Sequence, residues 1–310
     1  MDKRELSMDE VRHILKEHKL WVDTDHQSGA QADFSNCDLR RFDFCYGKCG
    51  ELHKFHSMNF RGADFSGVSF ERLHFKGCDF TDACMDQTRI LEVCFEKCNF
   101  SRTKLSMARL STTLMLDNSF YETQFGQSGF ADCKFVGNSF HGAYLDKIYI
   151  AKRSHIWDNQ FFDMNPVYAN FSNAEFVGNK FSHVTFMQCS FDDASFKKCH
   201  FLQSGFLDSY IERCRFSQSN LQDRFMQISF TTPKGDTFHA ACDLGLRTVI
   251  SRDLFDDKLP VRVDEFLKEA LTIPAQDKKQ QELKRMLISI GKTFKEACAS
   301  YRKDNQQTRW

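Results

Sequence analysis

Large hydrophobes stand at every fifth position for most of this chain. Phe55, Phe60, Phe65, Phe70, Phe75 and Phe80 begin a register that runs through Met85, Ile90, Phe95 and Phe100 to Leu145 and Ile150 without a polar member. The same beat passes through Phe34, Leu39 and Phe44, and resumes from Phe161, Phe171 and Phe176 to Phe216 and Leu221. A period of five fits neither a helix, which repeats at about 3.6 residues, nor a strand, which repeats at 2. It predicts a solenoid, in which short segments turn a corner after each repeat and successive coils bury one continuous axis. Two residues before most centres stands a small or thiol residue, such as Ala63, Cys78, Ala83, Cys98, Ala108, Cys133, Ala174, Cys189 or Cys199. Positions two apart in an extended segment face the same side, so these residues also point inward. The remaining positions are mostly Asp, Asn, Ser, Lys, Arg, Gly and Thr, as an exterior requires.

The segments ADFSN (32–36), GADFSG (62–67), GCDFTDA (77–83), KCNFS (97–101), ANFSNAEF (169–176) and CSFDDASF (189–196) resemble the pentapeptide-repeat family. Its unit is a small residue, Asp or Asn, Leu or Phe, and two polar residues, and the likeness spans about Ala30 to Phe230. The resemblance implies a mainly β fold, a right-handed quadrilateral β-helix with four repeats to each square coil. Residues twenty apart then stack, giving the column Leu39, Phe60, Phe80, Phe100, Phe120, Phe140, Phe161, Phe181, Phe201, Leu221. The next column is Phe44, Phe65, Met85, Leu105, Phe125, Leu145, Pro166, Phe186, Phe206, Met226, broken only by Pro166. Two one-residue insertions keep these columns aligned, one between Cys49 and Phe55 and one between Ile150 and Ile156. About ten coils at the ~4.8 Å spacing of paired strands make a rod on the order of 45–50 Å long.

The ends differ from the middle, and the chain divides into a capping helix and lead-in over 1–29, the repeats over 30–230 and a helical module over 231–310. Ser7 and Glu10 have capping-box spacing, followed by Val11, Ile14, Leu15, Leu20 and Trp21 on an amphipathic stretch that can shield the first coil. The run LKEHKLWV before the repeats also resembles a lead-in helix of bacterial pentapeptide-repeat proteins. After Phe230 the beat stops, and Pro233, Pro260 and Pro274 punctuate the remainder. Helical periodicity appears over 263–273 and 275–303. In the second stretch Leu283, Leu287, Ile290, Phe294, Ala297 and Tyr301 recur at spacings of four and three, a heptad seam. That seam either packs back on the last coil, self-associates into a homodimer or takes another protein.

Composition narrows the function. Lys plus Arg total 42 and Asp plus Glu 42, so the chain has no strong field for nucleic acid and does not imitate its charge. Seven of the 13 Cys fall in the inward small position, where a thiol acts as a small hydrophobe rather than as part of a disulfide framework. No signal-peptide h-region and no apolar run of membrane-span length occur, so a bacterial cytoplasm is the expected location, with secretion as an effector left open. There is no Gly-rich phosphate loop, no nucleophile elbow and no metalloprotease spacing among the 11 His. No catalytic residue and no cofactor are therefore assigned.

Three sets of residues are candidates for binding. Cys45, Cys49, His53 and His56 have zinc-like spacing at the first insertion, but the coil register points Cys49 and His53 inward and the other two outward, against tetrahedral convergence. Arg89 and Arg109 stack one coil apart, with Tyr149 two coils further on, and invite an acidic partner. Around the second insertion Arg153, His155, Trp157 and Phe162 interrupt a polar exterior, with Trp157 expected to face outward as an interface anchor. Leu283, Leu287, Ile290, Phe294 and Tyr301 are the candidates for self-association.

The leading expectation is a non-enzymatic scaffold that presents rigid faces to another protein. A second reading is protection of DNA gyrase or a related topoisomerase, because the repeats resemble those of quinolone-resistance members, which differ in being acidic and in carrying protruding loops. A third is a secreted effector acting in a host cell, although the residues after the repeats are too few for the catalytic lobes of ubiquitin-ligase effectors of similar architecture.

Overall fold

A repeat of five residues has room for a two- or three-residue strand and a corner, and the backbone does little else over most of the chain. The computed structural model describes residues 3–45, 54–151, 154–202, 204–207, 209, 215–217, 220–221, 225–231, 237–243, 248–251 and 261–307. Two units are distinguished, Met1–Tyr149 and Ile150–Trp310.

In the first unit the strands pair in parallel with those of the next coil. One face stacks Lys54–His56, His74–Lys76, Cys94–Glu96, Leu114–Leu116 and Lys134–Val136. A second stacks Phe44–Cys45, Ser69–Glu71, Arg89–Leu91, Arg109–Ser111 and Gly129–Ala131. Single bridges carry the other two faces, through Asn59, Asp79, Asn99, Ser119 and Ser139, and through Asp64, Cys84, Lys104, Gln124 and Tyr144. Four faces of parallel stacked coils make a β-solenoid of the expected quadrilateral kind. The corners lie two residues after the centres, where Asp82, Gln87, Arg102, Met107, Thr112 and Gln127 all take positive φ. Turning at every fifth residue forces this left-handed conformation, which costs an L-residue roughly 1–2 kcal/mol.

The interior recovers that cost. Phe34, Phe60, Phe80, Phe100, Phe120 and Phe140 stack ring on ring with centroids 4.8–5.6 Å apart. Rings of adjacent faces meet edge to face, as Phe75 and Phe80 do at 71°. Each fully buried Phe contributes ~1.5–3 kcal/mol before chain entropy is subtracted. The inward position two before each centre has a second property that its small size conceals. Thr103 donates its hydroxyl to the Phe80 carbonyl at 2.7 Å, Thr123 to Phe100 at 2.6 Å, and Cys98 its thiol to Phe75 at 3.4 Å. Asn118 and Asn138 form a buried ladder there: Asn118 donates to the Phe95 carbonyl and to Asn138 Oδ1, while its own Oδ1 accepts the Cys98 amide. The position therefore selects for a donor to the preceding coil as well as for small volume.

The first insertion is larger than its expected single residue. Asp33 pairs with Asn59 and Phe44 with Phe70, a separation of 26 residues where later coils have 20, so six extra residues enter. Phe34, not Leu39, lies under Phe60, and Leu39 passes its amide to Asp64 beneath Phe65. Both expected columns are therefore one face out at their first member.

The N-terminus covers this first coil as expected. Arg4–Glu5 pairs in parallel with Cys37–Asp38, and helix α1, Met8–Asp23, starts from a capping box in which Ser7 Oγ accepts the Glu10 amide and Glu10 accepts the Ser7 amide. The residue that α1 buries is His18, 2% exposed, while Leu20 stays exposed. His18 Nδ1 accepts the Ala32 amide at 3.1 Å, and its Nε2 is buried without a hydrogen bond. Burial draws its pKa downward from 6.5.

In the second unit His155–Trp157, Glu175–Val177, Ser195–Lys197 and Arg215–Ser217 stack in parallel, as do Gln160–Met164, Lys180–Met187, His200–Leu202 and Asn220–Leu221. Its opening insertion is one residue: Ile150 donates to the Asn170 carbonyl, one place further along than Phe171 to Ser190. Pro166 stays in its column, buried, and its carbonyl accepts the Met187 amide. Past the coils the chain forms an antiparallel sheet of Phe225–Thr231, Thr237–Asp243, Thr248–Ser251 and Val261–Arg262, where the sequence pattern predicts only a helical module. Helices α2, Val263–Thr272, and α3, Lys278–Gln307, follow. Helix α3 lies against α2 and against the coil strands Arg215–Ser217 and Asn220–Leu221. Gly291 permits the close crossing, since a Cβ there would come 2.6 Å from Leu267 Cδ2.

Two predictions follow from this packing. Phe100→Asp places an unpaired charge in a dry ring stack and is expected to abolish cooperative unfolding, whereas Met107→Asp, at an exposed corner with φ 58°, should leave the melting temperature within a few degrees; equal melting of the two variants would refute the register. His18 must be neutral to accept the Ala32 amide, and its folded pKa lies below its value in the undocked chain. The contribution of α1 docking is then complete above pH ~6.5 and lost as pH falls from there toward the folded pKa. Hydrogen exchange of the Ala32 amide, corrected for its intrinsic rate, should rise between pH 7 and pH 5 in the native chain and stay flat in His18→Asn.

Candidate partner-binding surface

The exposed coil arginines of the first unit are matched, with two exceptions, to carboxylates on the same or a neighbouring coil. Arg102 holds Asp82 through two bonds of 2.7 and 2.9 Å, and this bonding draws the Asp82 pKa down. Arg72 reaches Glu92 at 3.2 Å and Glu71 at 3.4 Å, Arg61 reaches Asp79 at 3.2 Å, and Lys76 reaches Glu96 at 2.9 Å. Such exposed pairs are each worth little in stability, but they cancel charge coil by coil.

Arg89 and Arg109 depart from this pattern. Strand pairing sets them directly one above the other, both are exposed, and among the described residues neither side chain makes a hydrogen bond or ion pair. The amide of Tyr149 donates to the Ser128 carbonyl, which places Tyr149 in the same row two coils on. The three residues expected to form one surface are thus brought together.

The other candidates fare differently. At the second insertion Trp157 is half-buried, and its indole N–H is enclosed without a partner, so it is not the outward anchor its position predicts. The His155 ring lies 4.7 Å from that of Trp157, and His155 Nδ1 pairs with Glu175 at 3.0 Å. Phe162 is half-buried, and Arg153 lies outside the described residues. A bulky indole beside a strand covers its neighbours more readily than it projects.

Of the zinc-like set, Cys49, His53 and the side chain of Cys45 lie outside the described residues. His56 has its ring 6.2 Å from that of His74, and burial followed by the His74 charge lowers its pKa. Among the described residues no three His, Cys, Asp or Glu side chains converge on a metal position. The inward thiols of Cys133 and Cys199 are held protonated, with burial pushing both up to about 11, which suits donation to carbonyls and not metal ligation.

The α3 seam is spent within the chain. Leu287, Ile290, Phe294 and Ala297 are all buried, with Phe294 at 0% exposure, in a helix that lies on α2 and the last coil strands. Leu283 is half-buried, and the side chain of Tyr301 is outside the described residues. The self-association face expected from the heptad spacing is therefore an internal contact, because a heptad pattern specifies an apolar stripe and not which surface covers it.

Sequence reasoning missed His18, Asn118 and Asn138. His18 follows Ile14 and Leu15 at helical spacing and could have been placed on the buried face. The two Asn occupy the inward small position twenty residues apart, which is itself the signal.

The family model described as pentapeptide repeat region matches residues 68–145, and no curated protein matches in sequence. Among solved structures, a trypsin-treated form of QnrB1, a plasmid-mediated fluoroquinolone resistance protein, is similar at 17% identity over 46% of this chain and 73% of that chain, with TM-score 0.39. Full-length QnrB1 is 18% identical over 53% and 93%, with TM-score 0.32. HetL from the cyanobacterium Nostoc sp. strain PCC 7120, a pentapeptide repeat protein involved in heterocyst differentiation regulation, is 11% identical over 57% and 93%, with TM-score 0.20. Residues 68–145 lie within the stacked coils of the first unit, and match and geometry agree that this stretch is a pentapeptide repeat region.

Proposed function

We propose that this chain is a non-enzymatic interaction scaffold whose coils hold outward side chains at fixed spacing for another protein. The observation that carries the reading is the stacked pair Arg89 and Arg109, without counter-ions among the described residues, on a surface where Arg61, Arg72 and Arg102 are each matched to a carboxylate. Two cations one coil apart repel each other by about 1 kcal/mol even in water, and an acidic partner would convert that repulsion into attraction and faster encounter. The rigid backbone favours such a use, because main chain already fixed by strand pairing has little freedom left to lose on binding.

Lysine-directed cross-linking of the full chain in extract of its own cells tests this. A specific protein should be recovered, with links concentrated on Lys104 and Lys147, the exposed lysines flanking the arginine row. Recovery of no specific protein would overturn the scaffold reading.

A further inference from the structure

The arginine row ends in a gap. The outward residues on this face read Ser69, Arg89, Arg109 and Gly129 in strand register, followed by Tyr149 through its bond to Ser128. A Cβ built on Gly129 meets no atom within 4 Å. The backbone there does not call for glycine, since no positive φ is found at this position. What glycine does at this place is leave open a notch, floored by backbone, between the guanidinium of Arg109 and the phenol of Tyr149, which is 55% exposed. Exposed Met107 and Lys147 flank the row at the preceding corner. Carboxylates of the surrounding positions are engaged or displaced: Glu71 and Glu92 hold Arg72, Asp86 accepts the Ser106 amide at 2.8 Å, Asp146 is itself engaged, and Asp132 stands at the far corner, two residues after Phe130.

We propose that this row binds an extended acidic peptide segment of the partner protein, in which a carboxylate precedes a large aromatic side chain by two residues. Spacing decides the pattern. A carboxylate shared by Arg89 and Arg109 sits midway between them, one and a half coils from Gly129, or ~7.2 Å at ~4.8 Å per coil. Alternate side chains of an extended peptide are ~6.8 Å apart and face the same side. The aromatic ring then enters the notch over Gly129 and packs against Tyr149, in the offset or edge-on manner that aromatic pairs favour, while the carboxylate accepts from both guanidinium groups. This site rests on the scaffold reading, and deepens it by naming the chemistry that the partner must carry.

The probe is a fluorescein-labelled peptide, Gly-Ser-Glu-Ser-Phe-Ser-Gly, titrated with the full chain and followed by fluorescence anisotropy at low salt. Saturable binding is expected, weakened at least about tenfold in the double variant Arg89→Glu, Arg109→Glu. Gly129→Val fills the notch and should weaken binding by a similar factor while leaving the melting temperature unchanged or raised, because valine suits a strand better than glycine. A peptide of the same composition with Glu and Phe adjacent should bind at least about fivefold more weakly, since its two side chains face opposite sides. Absence of binding by the native chain, or equal binding by all variants and both peptides, would overturn the site. The two readings fail separately: a specific cross-linked partner that the double arginine variant captures undiminished removes the acidic-peptide site and leaves the scaffold, whereas recovery of no partner removes the scaffold whatever the peptide does.

Discussion

Parallel pairing at a twenty-residue interval requires every coil to offer its amides and carbonyls to the next at the same height, and most of the sequence answers to that demand. A centre such as Phe80 gives its amide to Asn99, and its carbonyl accepts the Thr103 hydroxyl. Once heights match, side chains twenty apart have no choice but to stack, and Phe is favoured because flat rings at 4.8–5.6 Å tile the strand spacing with no gap. The donor two residues before the centre follows from the same geometry. It lies over a carbonyl of the coil beneath, so Thr, Asn and Cys serve where Ala merely fits.

Repeat chemistry also explains why some features were legible in the sequence and others were not. A period of five fixes which residues point inward, and Phe60, Phe80 and Phe100 needed nothing more. It does not fix which face lies over which, because an insertion of one residue and an insertion of six displace the beat by the same amount. The first coil, with Phe34 under Phe60, is the six-residue case, and counting in fives cannot separate the two. Corner residues were equally silent: positive φ falls on Arg102, Met107 and Thr112 alike, since the backbone pairing on either side imposes the turn whatever side chain stands there. The antiparallel strands from Phe225 to Arg262 carry no five-residue repeat, and the one clear alternation among them, Met226, Ile228 and Phe230, has the period of a strand and not of the coils.

At the ends the same demand becomes a problem of unpaired edges, and each end meets it differently. The first coil receives Arg4–Glu5 as an added strand and α1 as a cover. The second unit turns its C-terminal helices onto its last coil strands, so the heptad seam of α3 that reads as an association face is consumed within the chain. An apolar stripe on a terminal helix of a solenoid has a nearby surface that lacks a cover, which favours the internal contact over a second copy.

The exterior is the part of a solenoid that pairing leaves free, and on it departures from neutrality carry information. Ladders such as Arg102 on Asp82 and Arg72 on Glu92 show how readily charges one coil apart are matched, because the register brings them within reach at no cost in backbone. Arg89 and Arg109 have the same opportunity and have no counter-ion among the described residues, and Gly129 gives up strand propensity at an open, unrestricted position in the same row. Each of these choices works against stability by a modest amount. Their coincidence on one line of one face, beside an exposed Tyr149, is difficult to attribute to the fold, whose requirements are met at the inward positions on either side by Ala108, Ile90, Leu110 and Phe130.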